Sequence, residues 1–212
     1  MFRESKQRTG VGLVFTVEEA GVAKPFLPPT DPSDDASKFE GVRRVCPSNS
    51  HILGKPVTRG GRVLDHKFGI LGGAVDSSPD EIELNSYSLG QELAREVAEE
   101  MRFLMERTMV FLDASDIVVL LTWFKQLLTT IQTIPNSDFY SFSGIRVGQF
   151  LENKETGEHT LRGIFEVKAV QQNVPNDIAQ ILKKVGFSVP TDSNQIRPYV
   201  REVLNQLGYG TQ

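Results

Sequence analysis

Apolar positions along this chain follow three rhythms, and each predicts a different kind of element. Near the start, Val11, Leu13 and Phe15 alternate with small or polar residues, the period-two pattern of a strand. Between residues 86 and 112, Leu89, Leu93, Val97, Met101, Leu104 and Met105 recur every three or four positions. Glu92, Arg95, Glu96, Glu99, Glu100 and Arg102 fill the remaining positions. That spacing predicts an amphipathic helix of about seven turns, with Ser86 or Ser88 as its N-cap. A second helix is predicted over 117–131, opened by Asp113, Ser115 and Asp116 and closed at Pro135-Asn136. Its stripe of Ile117, Leu120, Leu121, Phe124, Leu127, Leu128 and Ile131 is widened by Val118, Val119 and Trp123. A helix so apolar is expected to be mostly surrounded by protein, and the short link predicts an antiparallel hairpin.

Residues 144–171 return to period two. Ile145, Val147 and Gln149, then Leu161, Gly163, Phe165 and Val167, flank a polar turn at 153–158 that contains Gly157. One β-hairpin is predicted there. Two short helices end the chain. The first opens at Pro175-Asn176-Asp177, carries Ile178, Ile181, Leu182 and Val185, and closes at Gly186. The second has Pro198 in its first turn, a stripe of Tyr199, Val200, Val203, Leu204 and Leu207, and Gly208 just past its end.

The first 85 residues lack such regularity. They hold ten of the 18 glycines and seven of the 11 prolines, which keeps regular elements short. The segment PFLPPTDPSDD reads as an exposed connector, and residues 63–75 as one or two strands broken at Gly72-Gly73. The expected organisation is α+β: an extended arm over 1–85, a core of two helices and a β-hairpin over 86–172, and a helix pair over 173–212.

Composition narrows the classes. With 39% hydrophobic and 24% charged residues, the 212-residue chain falls in the globular range. The net charge of −4 supplies no general field for nucleic-acid phosphates. Cys46 is the one cysteine, so no intramolecular disulfide forms. The polar start MFRESKQRTG lacks the apolar region of a signal peptide. The apolar stretch 117–131, interrupted by Thr122, Lys125 and Gln126, reads as too short to span a bilayer. The expectation is a soluble protein of the cytoplasm or of a virion.

Candidate chemistry is thin. Cys46, His51, Asp65 and His66 lack the pair spacing of a metal site or of a nucleophile with its base. Gly54–Gly61 and Gly69–Gly73 match neither a phosphate loop nor a dinucleotide fingerprint. The glutamates of 92–100 have no histidine between 67 and 158 to complete a bundle metal site, and read as a solvated face. No catalytic, cofactor or metal residue is therefore assigned. Arg43, Arg44, Lys55, Arg59, Arg62 and Lys67 form a local basic segment, which with the C-terminal helices is the alternative nucleic-acid-binding surface.

The arm suggests a different activity. Its apolar residues need covering, and long arms that lie along neighbours are common in assemblies. The expectation is a structural, non-enzymatic subunit that contacts copies of itself and neighbouring subunits, as in the capsid, neck or tail of a phage. Val11, Leu13, Phe15, Phe68, Ile70, Leu71, Leu120, Trp123, Phe124 and Leu127 are the candidate interface residues.

Overall fold

The computed structural model describes residues 3–4, 8–29, 42–44, 51–52, 55–56, 58–59, 62–63, 68–75, 79–143, 145, 149–153, 159–162 and 164–210. The chain is an α+β protein. Its strands are β1 (Arg3–Glu4), β2 (Arg8–Glu19), β3 (Val22–Pro25), β4 (Val42–Arg44), β5 (His51–Ile52), β6 (Lys55–Pro56), β7 (Thr58–Arg59), β8 (Arg62–Val63), β9 (Leu71–Ala74), β10 (Tyr140–Ser143), β11 (Gln149–Asn153), β12 (His159–Arg162) and β13 (Ile164–Asn173). Its helices are α1 (Pro79–Glu83), α2 (Leu89–Thr108), α3 (Ala114–Gln132), α4 (Asn176–Lys184) and α5 (Pro198–Gln206).

The principal sheet is centred on β2. Along one side β13 runs parallel to it, from the pair Arg8–Ile164 to the pair Thr16–Asn173. Outside β13, β10 pairs antiparallel. The other side of β2 is shared by two short antiparallel strands: β9 opposite Gly10–Leu13, and β3 opposite Thr16–Glu19. Ala20 and Gly21, both at positive φ (52° and 75°), make the two-residue turn from β2 into β3.

Because side chains alternate along a strand, β2 feeds two cores. Val11, Leu13, Phe15 and Val17 meet α2, α3 and α4 through Leu93, Val97, Leu127, Ile178 and Leu182. Val14 points the other way, with Val167 and Ala169 of β13, and is covered by Val200, Val203 and Leu204 of α5. The sheet is thus a middle layer, with α2, α3 and α4 on one face and α5 on the other.

This changes the expected organisation. The described parts of the supposed arm include the central strand of the main sheet and one of its edges. Its segments are also tied to the C-terminal region: Leu27 N–H donates to the Ser188 carbonyl (2.8 Å), and Phe68 N–H to the Gln195 carbonyl (3.0 Å). The partner of β2 lies far along the chain in β13, so local glycine and proline content said little about where 8–19 would pack. The hairpin expected over 144–171 is also divided. β11 and β12 pair with each other, Gln149 opposite Arg162, while β13 leaves to join β2. Val147 and Gly163 lie outside the described residues. β1 and β4 flank the β11–β12 pair in a four-stranded sheet, and β5–β6 and β7–β8 are two short separate pairs.

The helices follow the sequence more closely. Ser88 caps α2 by accepting from Gln91 N–H, and Asp113 caps α3 by accepting from Asp116 N–H. Gly186 and Gly208 take positive φ past the ends of α4 and α5. The start of α2 lies so close to the end of α3 that a Cβ on Gly90 would be 2.6 Å from the Ile131 carbonyl oxygen.

Candidate functional site

Among the described residues, the helical hairpin presents an apolar face that the fold does not use for its own packing. On α3, Leu120, Leu127 and Ile131 are buried against α2 and the sheet, with Ile117, Trp123, Phe124 and Leu128 packed beside them. The Trp123 ring lies 5.8 Å from that of Phe15. The opposite face is open. Val118, Val119 and Leu121 are 63%, 41% and 48% exposed. The 3-10 turn Met109–Phe111, between α2 and α3, adds Val110 and Phe111 at 83% and 66%. The expectation that α3 would be surrounded by protein therefore does not hold: among the described residues, α2, α4 and one sheet face reach it, and they cover one stripe. By length and composition alone, the 19-residue α3 is also apolar enough to cross a membrane, although the shorter stretch 117–131 had been expected to fall short.

The polar residues of that outer face are less polar than their names imply. Thr122, Thr129 and Thr130 donate their hydroxyls to the carbonyls of Val118 (2.8 Å), Lys125 (3.0 Å) and Gln126 (3.1 Å), one turn back. The hydroxyls are satisfied within the helix, which leaves the threonine methyls as their apolar contribution to the surface. Beside this face an open groove of about 330 Å³ runs between α3 and the start of α4, lined by Val118, Val119, Thr122, Trp123, Pro175 and Ile178.

Charges are arranged at the ends. The Ser115 hydroxyl and the Asp116 N–H hold the Asp113 carboxyl below its ordinary range. Asp116 pairs with Lys184 of α4, which fixes the start of α3 to the end of α4. Lys125 has no ion pair among the described residues. At the other end of the hairpin, an open groove of about 350 Å³ is lined by residues including Tyr87, Ser88, Thr133 and Asn136. The Asn136 amide there is engaged with Ile82, Tyr87 and Leu89.

The glutamates of α2 are not a simple solvated face. Glu100 accepts the Gly72 N–H at 2.8 Å, and the Glu96 carboxylate sits over Gly73, where a Cβ would collide with it. Burial pushes the Glu96 carboxyl up; Arg95 pulls it partly back, and the charges of Glu92 and Glu99 add to the rise. The pair Gly72-Gly73, weighed above as part of a loop, is thus strand backbone that lets α2 settle onto the sheet edge. Among the described residues no group of three His, Cys, Asp or Glu is placed to hold a metal ion.

The expected interface residues separate into two sets. Val11, Leu13, Phe15, Ile70, Leu71, Leu120 and Leu127 are no more than 8% exposed and belong to the two cores of this same chain. They are not a surface in this fold, because β2 and β9 are already paired and covered. Phe68, Trp123 and Phe124 are partly exposed at the core margins. The exposed apolar surface lies one helical face away, on Val118, Val119 and Leu121, and at Met109, Val110 and Phe111. The last three fall in the stretch read as the first helix; their signal was an apolar run, Met109 to Leu112, with no polar alternate just before the capping Asp113.

The basic segment is dispersed over several short strands: Arg43 and Arg44 in β4, Lys55 in β6, Arg59 in β7 and Arg62 in β8. Register sets Arg43 opposite Glu152 and Arg59 opposite Arg62. Lys67 lies outside the described residues, as do Cys46, Asp65 and His66. α4 and α5 pack against opposite faces of the sheet, so they do not form a helix-turn-helix.

No known family model, no curated protein and no solved structure matches this chain.

Proposed function

We propose that this protein is a structural subunit that associates with copies of itself through the outer face of its helical hairpin. The carrying observation is the group of apolar side chains at 109–111 and on α3 that stays exposed among the described residues. Single exposed apolar residues are ordinary, whereas a contiguous group marks a contact surface. Threonines whose hydroxyls are already bonded suit the same use, because burying them leaves no donor unsatisfied.

A virion component was expected because of a free arm, and that support weakens once 8–29 and 68–75 are built into the core. The nucleic-acid alternative loses the paired C-terminal helices and keeps only the basic segment.

Size-exclusion chromatography with light scattering tests the reading. The wild-type chain should be oligomeric at micromolar concentration. Val118→Asp with Leu121→Asp should be monomeric while keeping the wild-type circular dichroism and melting temperature. A wild-type monomer at that concentration overturns the proposal.

A further inference from the structure

Within that self-association reading, we infer that the occupant of the α3 face is α3 of a second copy, antiparallel to the first, about a two-fold axis beside Val118. Three observations select this arrangement.

The first is charge. Lys125 is the one charged residue on the outer face of α3 beyond its first turn, and the acids Asp113 and Asp116 stand at the start of the helix. A two-fold axis beside Val118 brings positions equally far before and after it together. Asp113 of one copy then comes beside Trp123 of the other, within reach of Lys125. Each copy contributes the same pair, as an isologous contact requires.

The second is shape. The same axis carries the exposed tip of each hairpin, Val110 and Phe111 in the turn before α3, to the second half of the partner's α3. The groove beside Thr122, Trp123 and Pro175 lies at that level. An axis beside Thr122 would instead carry the tip to the end of the helix, past the groove, and leave Phe111 in water.

The third is area. Six apolar residues, Met109 to Phe111 with Val118, Val119 and Leu121, are between 41% and 83% exposed. Together they present on the order of 500 Å². With a rim of Ser115, Thr122, Gln126 and Thr129, the face approaches the roughly 800 Å² per partner of a standard interface.

Cysteine cross-linking in a Cys46→Ser background tests the register. Val118→Cys should form a disulfide-linked dimer on mild oxidation. Ser115→Cys mixed with Leu121→Cys should give the mixed dimer, and Thr129→Cys alone should give little product. Lys125→Glu should weaken association about tenfold. An oligomer by light scattering that cross-links through Thr129→Cys and not Val118→Cys overturns this contact and leaves self-association standing. A monomer overturns both. A monomer that floats with phosphatidylcholine vesicles overturns both and assigns the face to lipid.

Discussion

The side-chain oxygen of Asn136 accepts the backbone N–H of Leu89 at 2.9 Å, which joins the first turn of α2 to the segment that leaves α3. The same amide donates to the carbonyls of Tyr87 (2.7 Å) and Ile82 (3.3 Å). One side chain thus satisfies an unpaired helix N–H and anchors the α1–α2 link. Asn136→Ala should cost about 2–3 kcal/mol, since three part-buried bonds disappear together. Asn136→Asp keeps the acceptor for Leu89 but turns a carboxylate oxygen toward two carbonyls, and should also destabilise. Urea unfolding of both variants checks this; a midpoint unchanged by Asn136→Ala would mean that water replaces the amide without loss.

Three glycines should respond differently to alanine. At Gly72, φ is +145° and the new Cβ would strike the Val11 carbonyl of the paired strand. At Gly90 it would meet the carbonyl oxygens of Ile131 (2.6 Å) and Ile134 (2.8 Å). Backbone cannot step aside in either place, so each substitution should cost about 3 kcal/mol or more. At Gly73 the obstacle is the end of the Glu96 side chain, which can rotate away. Gly73→Ala should therefore cost less than about 1.5 kcal/mol. Thermal melts of the three variants should show Gly73→Ala nearest the wild type.

Glu96 and Glu166 should push stability in opposite directions with pH. Burial holds Glu96 above its ordinary range, so the folded state favours its protonated form. Its contribution is present below the unfolded pKa and is lost as pH rises to the folded value. Burial would raise Glu166 too, but hydrogen bonds from Ser141 and Lys168 outweigh it and hold the carboxyl low. Its contribution is present above the unfolded pKa and is lost as pH falls through the folded value. Glu96→Gln should match or exceed the wild type at pH 7 and lose that advantage in acid. Glu166→Gln should be weaker at neutral pH and converge in acid. Unfolding curves at several pH values for the two variants separate these cases.

Local features were legible in the sequence. Ser88 and Asp113 were readable as caps, Gly186 and Gly208 as helix ends, and the stripes of α2, α4 and α5 as buried faces, because each depends on residues within a turn or two. Features that depend on distant partners were not. Val11, Leu13 and Phe15 read as a strand, but nothing near them announces β13 as a parallel partner, so the strand was assigned to an arm. Gly72 and Gly73 read as a break because the absent side chains make room for the Val11 backbone of β2 and for Glu96 of α2, which periodicity does not record. The apolar width of α3 was legible, but which side would stay open depended on how few elements reach it. That is why the candidate surface moved from Leu120 and Leu127 to Val118 and Leu121.

The C-terminal helix offers the sharpest contrast between a docking tail and a core element. Val200, Val203 and Leu204 are fully buried and cover Val14, Val167 and Ala169 on the second face of the sheet. The Tyr209 hydroxyl donates to the Gln171 side chain at 2.6 Å, which fastens the end of α5 to β13. An appended tail could lose such contacts without harm to the rest. A helix that completes a core cannot, because the bared face of β2 and β13 would be apolar and wet. Leu204→Ala should cost about 2–5 kcal/mol and lower the single unfolding transition of the chain. Tyr209→Phe removes one hydroxyl bond at the margin and should cost about 1 kcal/mol. Should Leu204→Ala leave the main transition unmoved and abolish only a minor early one, α5 would be a separately melting appendage. Hydrogen exchange of the β13 amides carries the same distinction: protection there should fall in Leu204→Ala if the helix and the sheet share one core.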